Sequence, residues 1–374
     1  MIEVVRIRNK KDFKKFVRFP TELYKDSPYY VPPIELDELN LTNPKKNASF
    51  DDCDAAYWLC YKDGKVAGRI AGIICKLYNE KNSAKRARFS RFDLIDDPDV
   101  AKALLTAAEC WARDMGMEDI HGPLGFNDLE REGLLTYGFD TIGTYQGSWN
   151  AEYYEKHILA NGYEPDARWV EWRITMPDKV DEKVDRMAGI IERRYGFHEK
   201  KFKSTKEIIN KYGKEIFEVL DESFAPLYGT MPFGEKLVKQ TIDLFKLIID
   251  KDYVSIVFDK EDKVAGFGVG YPSMARAMQK SKGRFLPFGI FRMLHDIRNP
   301  KYLELALIGV KPKYQQMGVT AIIIKNMMER IISNGIVYAD TGCQLESNKA
   351  VINSLDMLPR ELVRKKVCYL KKLK

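Results

Sequence analysis

The residues whose spacing points most directly to chemistry form one short run, Gln315-Gln316-Met317-Gly318-Val319-Thr320. An apolar stretch, Leu303 to Val310, precedes it and reads as a strand. Ala321 to Ile332 follows, with Ile322, Ile323, Met327, Ile331 and Ile332 at helical spacing. A strand that ends in a turn containing Pro312, two Gln and Gly318, and opens directly into a helix, can aim several free backbone N–H groups at one point. Those donors, with the positive end of the helix dipole, suit a phosphate. Taken alone, the run reads more readily as a plain strand-to-helix loop whose glycine allows close packing.

Composition narrows the classes around that run. The chain has 374 residues, 45% hydrophobic and 31% charged, which is enough for two globular domains of ordinary size. The formal charge of +7 suits an anionic ligand or an acidic surface. Lys and Arg are scattered among nearly as many Asp and Glu, and no base-reading module is present, so nucleic acid is not expected. The six Cys show no C-x-x-C spacing, and the four His lie far apart without an H-E-x-x-H pattern, so no metal is expected. Met1 to Arg6 carries no signal peptide, and no apolar run approaches the ~18 residues of a membrane span. A cytoplasmic protein without an integral membrane segment is the expectation.

The elements that must position the run come in a repeated order. In the first half, Lys11 to Tyr24 reads as a helix. Ala55 to Cys60 and Val66 to Cys75 read as a hairpin across Asp63-Gly64. Ala87 to Leu94 is a strand, and Asp96-Asp97-Pro98-Asp99 starts a helix reaching about Gly116. A strand end at Ile120 to Pro123, a loop rich in Gly and acids over Phe126 to Thr144, a helix over Ala151 to Asn161 and a strand over Trp169 to Thr175 complete it. Charged Pro177 to Arg194 keeps Val180, Val184, Met187, Ile190 and Ile191 and reads as a linking helix. The second half repeats the series, and Lys65-Val66-Ala67-Gly68 and Lys263-Val264-Ala265-Gly266 occupy the same hairpin position. The shared order argues for a tandem duplication. The expected division is residues 1–177, a linking helix over 178–195, and residues 196–374.

The order, with Gln315-x-x-Gly318-x-Thr320 after a strand and Glu346-Ser347-Asn348 opening the next helix, resembles the GCN5-related N-acetyltransferase superfamily. Gly122-Pro123, Glu132-Gly133-Leu134-Leu135 and Tyr153-Tyr154 resemble the first half of bacterial tandem proteins of this type. The resemblance implies an α/β fold of two acyltransferase-like domains, each a mixed, mostly antiparallel sheet flanked by helices, with the cofactor motif only in the second. It implies acetyl-CoA or another acyl-CoA and direct transfer to an amine, without a covalent enzyme intermediate. By carry-over, the backbone of Gln315, Gln316, Met317, Gly318, Val319 and Thr320 would hold the pyrophosphate. Main-chain groups at Ile308 and Val310 would pair with the pantetheine arm, and the Val310 N–H would stabilise the oxyanion. Asn348 would touch the cofactor from the following helix.

Two positions depart from the family pattern. Thr320 stands where a Gly or Ala is usual, and no Tyr follows in Val351-Ile352-Asn353-Ser354-Leu355, where many members keep an acid for the leaving thiolate; Asn353 could only hydrogen-bond. Glu304, on the strand before the loop, is the candidate general base, and a solvated or ion-paired strand residue is the plainer alternative. In the first half, Asp96, Asp97 and Asp99 sit where phosphates would bind. Each like-charge pair at contact distance would oppose binding by roughly 1 to 4 kcal/mol, and an Asp would also occupy the N–H groups. The first half is therefore not expected to bind CoA in the usual way. Its loop, with Asn127, Asp128, Glu130 and Glu132, would suit an amine acceptor.

Ser273 to Pro300 lengthens the second half and interleaves Arg276, Lys280, Lys282, Arg284, Arg292 and Arg298 with Phe285, Leu286, Phe288, Ile290, Phe291 and Leu294. A helix packed on the domain, a lid, or an amphipathic face touching lipid all fit that pattern. The basic stretch Arg364-Lys365-Lys366 reads as a solvated strand edge. The expected activity is acyl-CoA-dependent N-acylation of a small amine. Acylation of a lipid amine with a longer donor, or a binding module without catalysis, are the alternatives.

Overall fold

A computed structural model describes residues 1–373. The first half begins with β1 (Ile2–Arg6), α1 (Lys10–Leu23), α2 (Glu35–Leu41), β2 (Cys53–Lys62) and β3 (Lys65–Cys75). It continues through α3 (Lys76–Asn82), β4 (Arg86–Leu94), α4 (Pro98–Asp114), β5 (Asp119–Gly122), β6 (Leu134–Tyr137), α5 (Tyr153–Ala160) and β7 (Glu164–Thr175). Helix α6 (Glu182–Tyr195) links it to β8 (His198–Glu199), α7 (Thr205–Phe224), α8 (Glu235–Ile248), β9 (Val254–Phe258) and β10 (Val264–Pro272). The insertion forms α9 (Ala275–Ser281) and α10 (Gly289–Arg298). Then come β11 (Tyr302–Val310), α11 (Val319–Ser333), β12 (Tyr338–Thr341), β13 (Gln344–Leu345), α12 (Lys349–Ser354) and β14 (Arg360–Lys372).

Among the described residues fourteen strands join one mixed sheet, with the path β1-β2-β3-β4-β5-β14-β7-β12-β11-β10-β9-β8, β13 beside β7 and β6 beside β14. Neighbours along this path are antiparallel except β4 with β5 and β11 with β12, which are parallel. The two parallel pairs occupy matching places in the two halves, as a duplicated fold requires. The halves also trade their last strands. Strand β14, from the second half, lies between β5 and β7. Strand β7, from the first half, pairs with β12 and β13.

The trade explains one difference from the sequence reading. Arg364 and Lys366 do not lie on a solvated edge: both are 1% exposed, near the centre of the sheet. Strand β14 is flanked on both sides, so its alternating charges must find partners inside. They do. Arg364 is paired with Glu171 and, at 3.0 Å, with Asp340; Lys366 Nζ lies 2.5 Å from Glu171. Arg173 also reaches Asp340, at 2.7 Å. The ionic network thus ties β7, β12 and β14 across the seam. Its cations hold the Glu171 carboxyl down at about 2 against burial, which acts first and in the opposite direction.

On the first half α4 buries Leu104, Leu105, Ala108 and Trp111 against Ile70, Phe89 and Tyr369. On the second, α11 buries Val319, Ile322, Ile323, Met327 and Ile331 beside Leu303 and Ala339. The sheet is therefore covered where each parallel pair must be shielded from water.

Candidate active site

The site is built where β11 and β12 part. Their pairing runs from Tyr302↔Tyr338 to Leu305↔Thr341 and stops there. On its other side β11 pairs with β10, with Leu307 opposite Val269 and Leu305 opposite Gly270, so Ala306 is an extra, bulged residue. Beyond it Leu307 to Val310, including Ile308, keep their β10 partners but leave the β12 side open. That open edge offers main-chain groups to an extended ligand arm.

The edge leads to the loop. Pro312–Met317 form a short 3-10 turn, Gly318 adopts φ +80°, and α11 starts at Val319 with no side chain capping its first turn. Gly318 is called for by its left-handed φ, and a Cβ there would also press within 2.5 Å on the end of the Ile191 side chain of α6. Gln315 and Gln316 are exposed, Met317 and Thr320 half-buried, and Val319 buried. Gln315 reaches back to the Val310 carbonyl at 3.4 Å. An uncapped helix N-terminus at the end of an unpaired strand edge fits a phosphate-bearing thioester.

The matching loop of the first half is closed. Asp97 caps α4, accepting from the N–H groups of Asp99 (3.0 Å) and Val100 (3.1 Å), and it is paired with Lys62. Asp96 meets His157 at 2.8 Å. Donors that are free at Gly318 are thus taken at Pro98.

A cavity of about 220 Å³ opens from the split strands. One wall is apolar: Ile323, Ile324, Met327 and Met328 of α11, with Leu355 and Leu358. Leu305 to Ile308 and Gly342 to Leu345 line the split itself, and Asn348 and Ser354 stand beside it. The first half closes part of the remaining wall, its loop contributing Asp128, Glu130, Glu132, Thr144 and Gln146, beside Leu227, Tyr228 and Tyr271 of the second half. Asn348 lines the cavity while capping α12 through a 3.5 Å contact to the Val351 N–H. Asn353 is exposed and does not line it; Val351, Ser354 and Leu355 take that side of α12.

Glu304 is buried at the edge of the cavity, but its oxygens are occupied. It accepts from Ser273 Oγ (2.7 Å), Tyr271 OH (3.1 Å) and the Tyr145 N–H (3.0 Å to each oxygen). Burial raises its pKa to about 7 in spite of these donors. Its geometry is that of a clamp holding the first-half loop to β10 and β11. Glu132 is different. Its carboxyl faces the cavity, and burial, reinforced by the charge of Asp128, raises its pKa to about 8. Asp128 is raised to about 6, chiefly by burial. Cys343 also lines the cavity, and burial raises its thiol pKa, so it stays protonated and is a poor nucleophile. Among the described residues no cluster of His, Cys, Asp and Glu is arranged to hold a metal.

Comparison with known proteins bears on the family and the fold. Residues 214–355 match the model of the acetyltransferase (GNAT) family. That stretch is therefore a GNAT-type domain, of a family that generally takes an acyl-CoA. The chain is 26% identical to Protein YghO of Escherichia coli (strain K12), over 98% of this chain and 94% of that one. It is 25% identical to the bacterial ceramide synthase of Caulobacter vibrioides, over 94% and 92%. The fold is similar to a tandem GNAT protein from the clavulanic acid biosynthesis pathway (TM-score 0.60, 10% identity, 100% and 99% covered). It is also similar to a GCN5-related N-acetyltransferase from Sphaerobacter thermophilus (TM-score 0.52, 10% identity, 100% and 96% covered).

Proposed function

We propose that the chain is a CoA-dependent N-acyltransferase with one working site, in residues 196–374, completed by residues 1–177. Residues 178–195 join the two. The observation that carries this reading is the open edge of β11, running from the Ala306 bulge to the uncapped N-terminus at Gly318 and into a cavity walled by carboxylates of the other half. The backbone from Gln315 to Thr320 would hold the pyrophosphate. Ile308 and Val310 would offer main-chain groups to the pantetheine arm, with the Val310 N–H at the oxyanion. An acyl-CoA supplies the activated carbonyl. Glu132 takes a proton from the acceptor ammonium. The amine nitrogen then attacks the carbonyl carbon, the C–N bond forms as the C–S bond breaks, and the nitrogen's surplus proton ends on the thiol. Glu304, fully hydrogen-bonded, positions the acceptor loop.

A lipid amine with a long-chain donor is the reading we favour among acceptors. The apolar α11 wall of the cavity supports it, as does 25% identity to a ceramide synthase. The test is calorimetric titration with acetyl-CoA and with a long-chain acyl-CoA, followed by CoA release over a panel of amines that includes a sphingoid base. Binding should be lost in Gly318→Glu and kept in Pro98→Ala. No binding at millimolar cofactor sinks the proposal, and binding without CoA release from any amine makes the protein a non-catalytic module.

A further inference from the structure

Helix α10 is amphipathic in an unusual sense. Gly289, Met293 and Ile297 turn inward, and Met293 packs with Phe245, Ile248 and Met278. The opposite stripe is apolar too, yet it faces water. Leu286, Phe288 and Phe291 are 79%, 64% and 68% exposed, and Ile290 and Leu294 are exposed beside them. Solitary exposed apolar residues are ordinary, but five within nine positions form a patch that calls for a partner.

The charges around the patch say which. Ser273 to Pro300 carries six Lys or Arg against one acid, Asp296. Among the described residues only Arg284 of these six forms an ion pair, with Glu35 at 3.3 Å. Lys280, Lys282, Arg292 and Arg298 are exposed and uncompensated. Exposed aromatics framed by free cations match an anionic lipid surface, where rings enter the headgroup boundary and cations meet phosphates.

A groove of about 490 Å³ begins at this patch. Phe288, Phe291, Arg292 and Lys280 line its mouth, and Thr144 and Glu304, which also line the catalytic cavity, lie at its inner end. We infer that α10 and the loop before it dock on an anionic phospholipid bilayer, placing the groove so that an amphiphilic amine passes from the membrane toward the cavity. The passage of substrate rests on the N-acyltransferase reading; the docking does not.

Sedimentation of the full chain with vesicles tests the docking. Binding to phosphatidylcholine vesicles containing phosphatidylglycerol should exceed binding to phosphatidylcholine alone at least tenfold, and fall with salt. Phe288→Ser/Phe291→Ser and Lys280→Glu/Arg292→Glu should each lower it at least tenfold. Both pairs are exposed and away from the Gly318 loop, so acyl-CoA affinity should stay within twofold, which separates failure of docking from failure of the cofactor site. Equal sedimentation of wild type and both double variants overturns the inference, as does absence of binding to either vesicle. A wild-type dimer that becomes monomeric in Phe288→Ser/Phe291→Ser also overturns it, because the patch would then face a second copy of the chain.

Discussion

At the scale of residues, the proposed function separates two carboxylates, Glu132 as base and Glu304 as positioning residue. Burial raises the Glu132 carboxyl to about 8, and on the proposed reading it would act deprotonated. The rate should therefore rise as pH climbs through about 8. Glu132→Gln should lose that rise and about 10²- to 10⁴-fold in kcat/KM, with cofactor affinity unchanged, in a stopped assay of CoA thiol release. Glu304 should behave as structure. Glu304→Ala strands the Tyr271 hydroxyl and the Tyr145 N–H, so it should cost about 1–3 kcal/mol per stranded group in urea unfolding. Because its folded pKa is raised to about 7, wild-type stability from this group is full below about pH 4.5 and declines as pH rises through about 7. Glu304→Gln should flatten that part of the profile.

Elements carry the next scale. Replacing Arg364 by Met leaves Glu171 with Lys366 alone and Asp340 with Arg173 alone, in the middle of the sheet. Breaking such a network by one partner costs about 3–5 kcal/mol, measurable as a fall in the urea midpoint. Glu171 works in the opposite sense to Glu304: its depressed pKa gives stability above about pH 4.5 that is lost as pH falls toward about 2. Here the sequence was half legible. Strand-loop-helix at Gly318, the two hairpins and the Asp cap at Asp97 depend on neighbours within a few positions, and the local pattern shows them. Strand β14 has the alternation of any half-buried strand, but Arg364 finds Glu171 at a separation of 193 residues. Nothing local tells a charge that meets water from one that meets a distant carboxylate. The acids of the Phe126 to Thr144 loop stand out in the sequence, and Asp128, Glu130 and Glu132 line the cavity. That Glu304 would be saturated by donors from Tyr145, Tyr271 and Ser273 was not legible there, because one donor comes from the other half. Asn353 fell on the outer side of α12, since the helix is only six residues and its register is set by the cap at Asn348.

For the whole molecule, the traded strands make each half the other's missing part. Fragment 1–177 would leave β5 and β7 with open edges, and fragment 178–374 would leave β12 without β7. Open edges invite aggregation. Each fragment alone should aggregate, whereas the two co-expressed should assemble into an equimolar complex that binds acyl-CoA, read by size exclusion and calorimetry. A cooperative melt from either fragment alone would contradict this. Among the described residues no helix is long and apolar enough to cross a membrane.

The place of β14 also fixes a schedule. It is sixth of the twelve strands along the path, yet it is made after all the others. The ribosome thus delivers thirteen strands before the one that joins β5 to β7. Until then a gap divides the sheet, and the Glu171 carboxylate waits without Arg364 and Lys366. Closure brings β14 to β7 across 193 residues (Arg364 to Glu171) and to β5 across 247 (Tyr369 to Gly122), a slow kind of contact to form. During synthesis the chain is a pair of unfinished sheets, and it is in that interval that chaperones have most to shield.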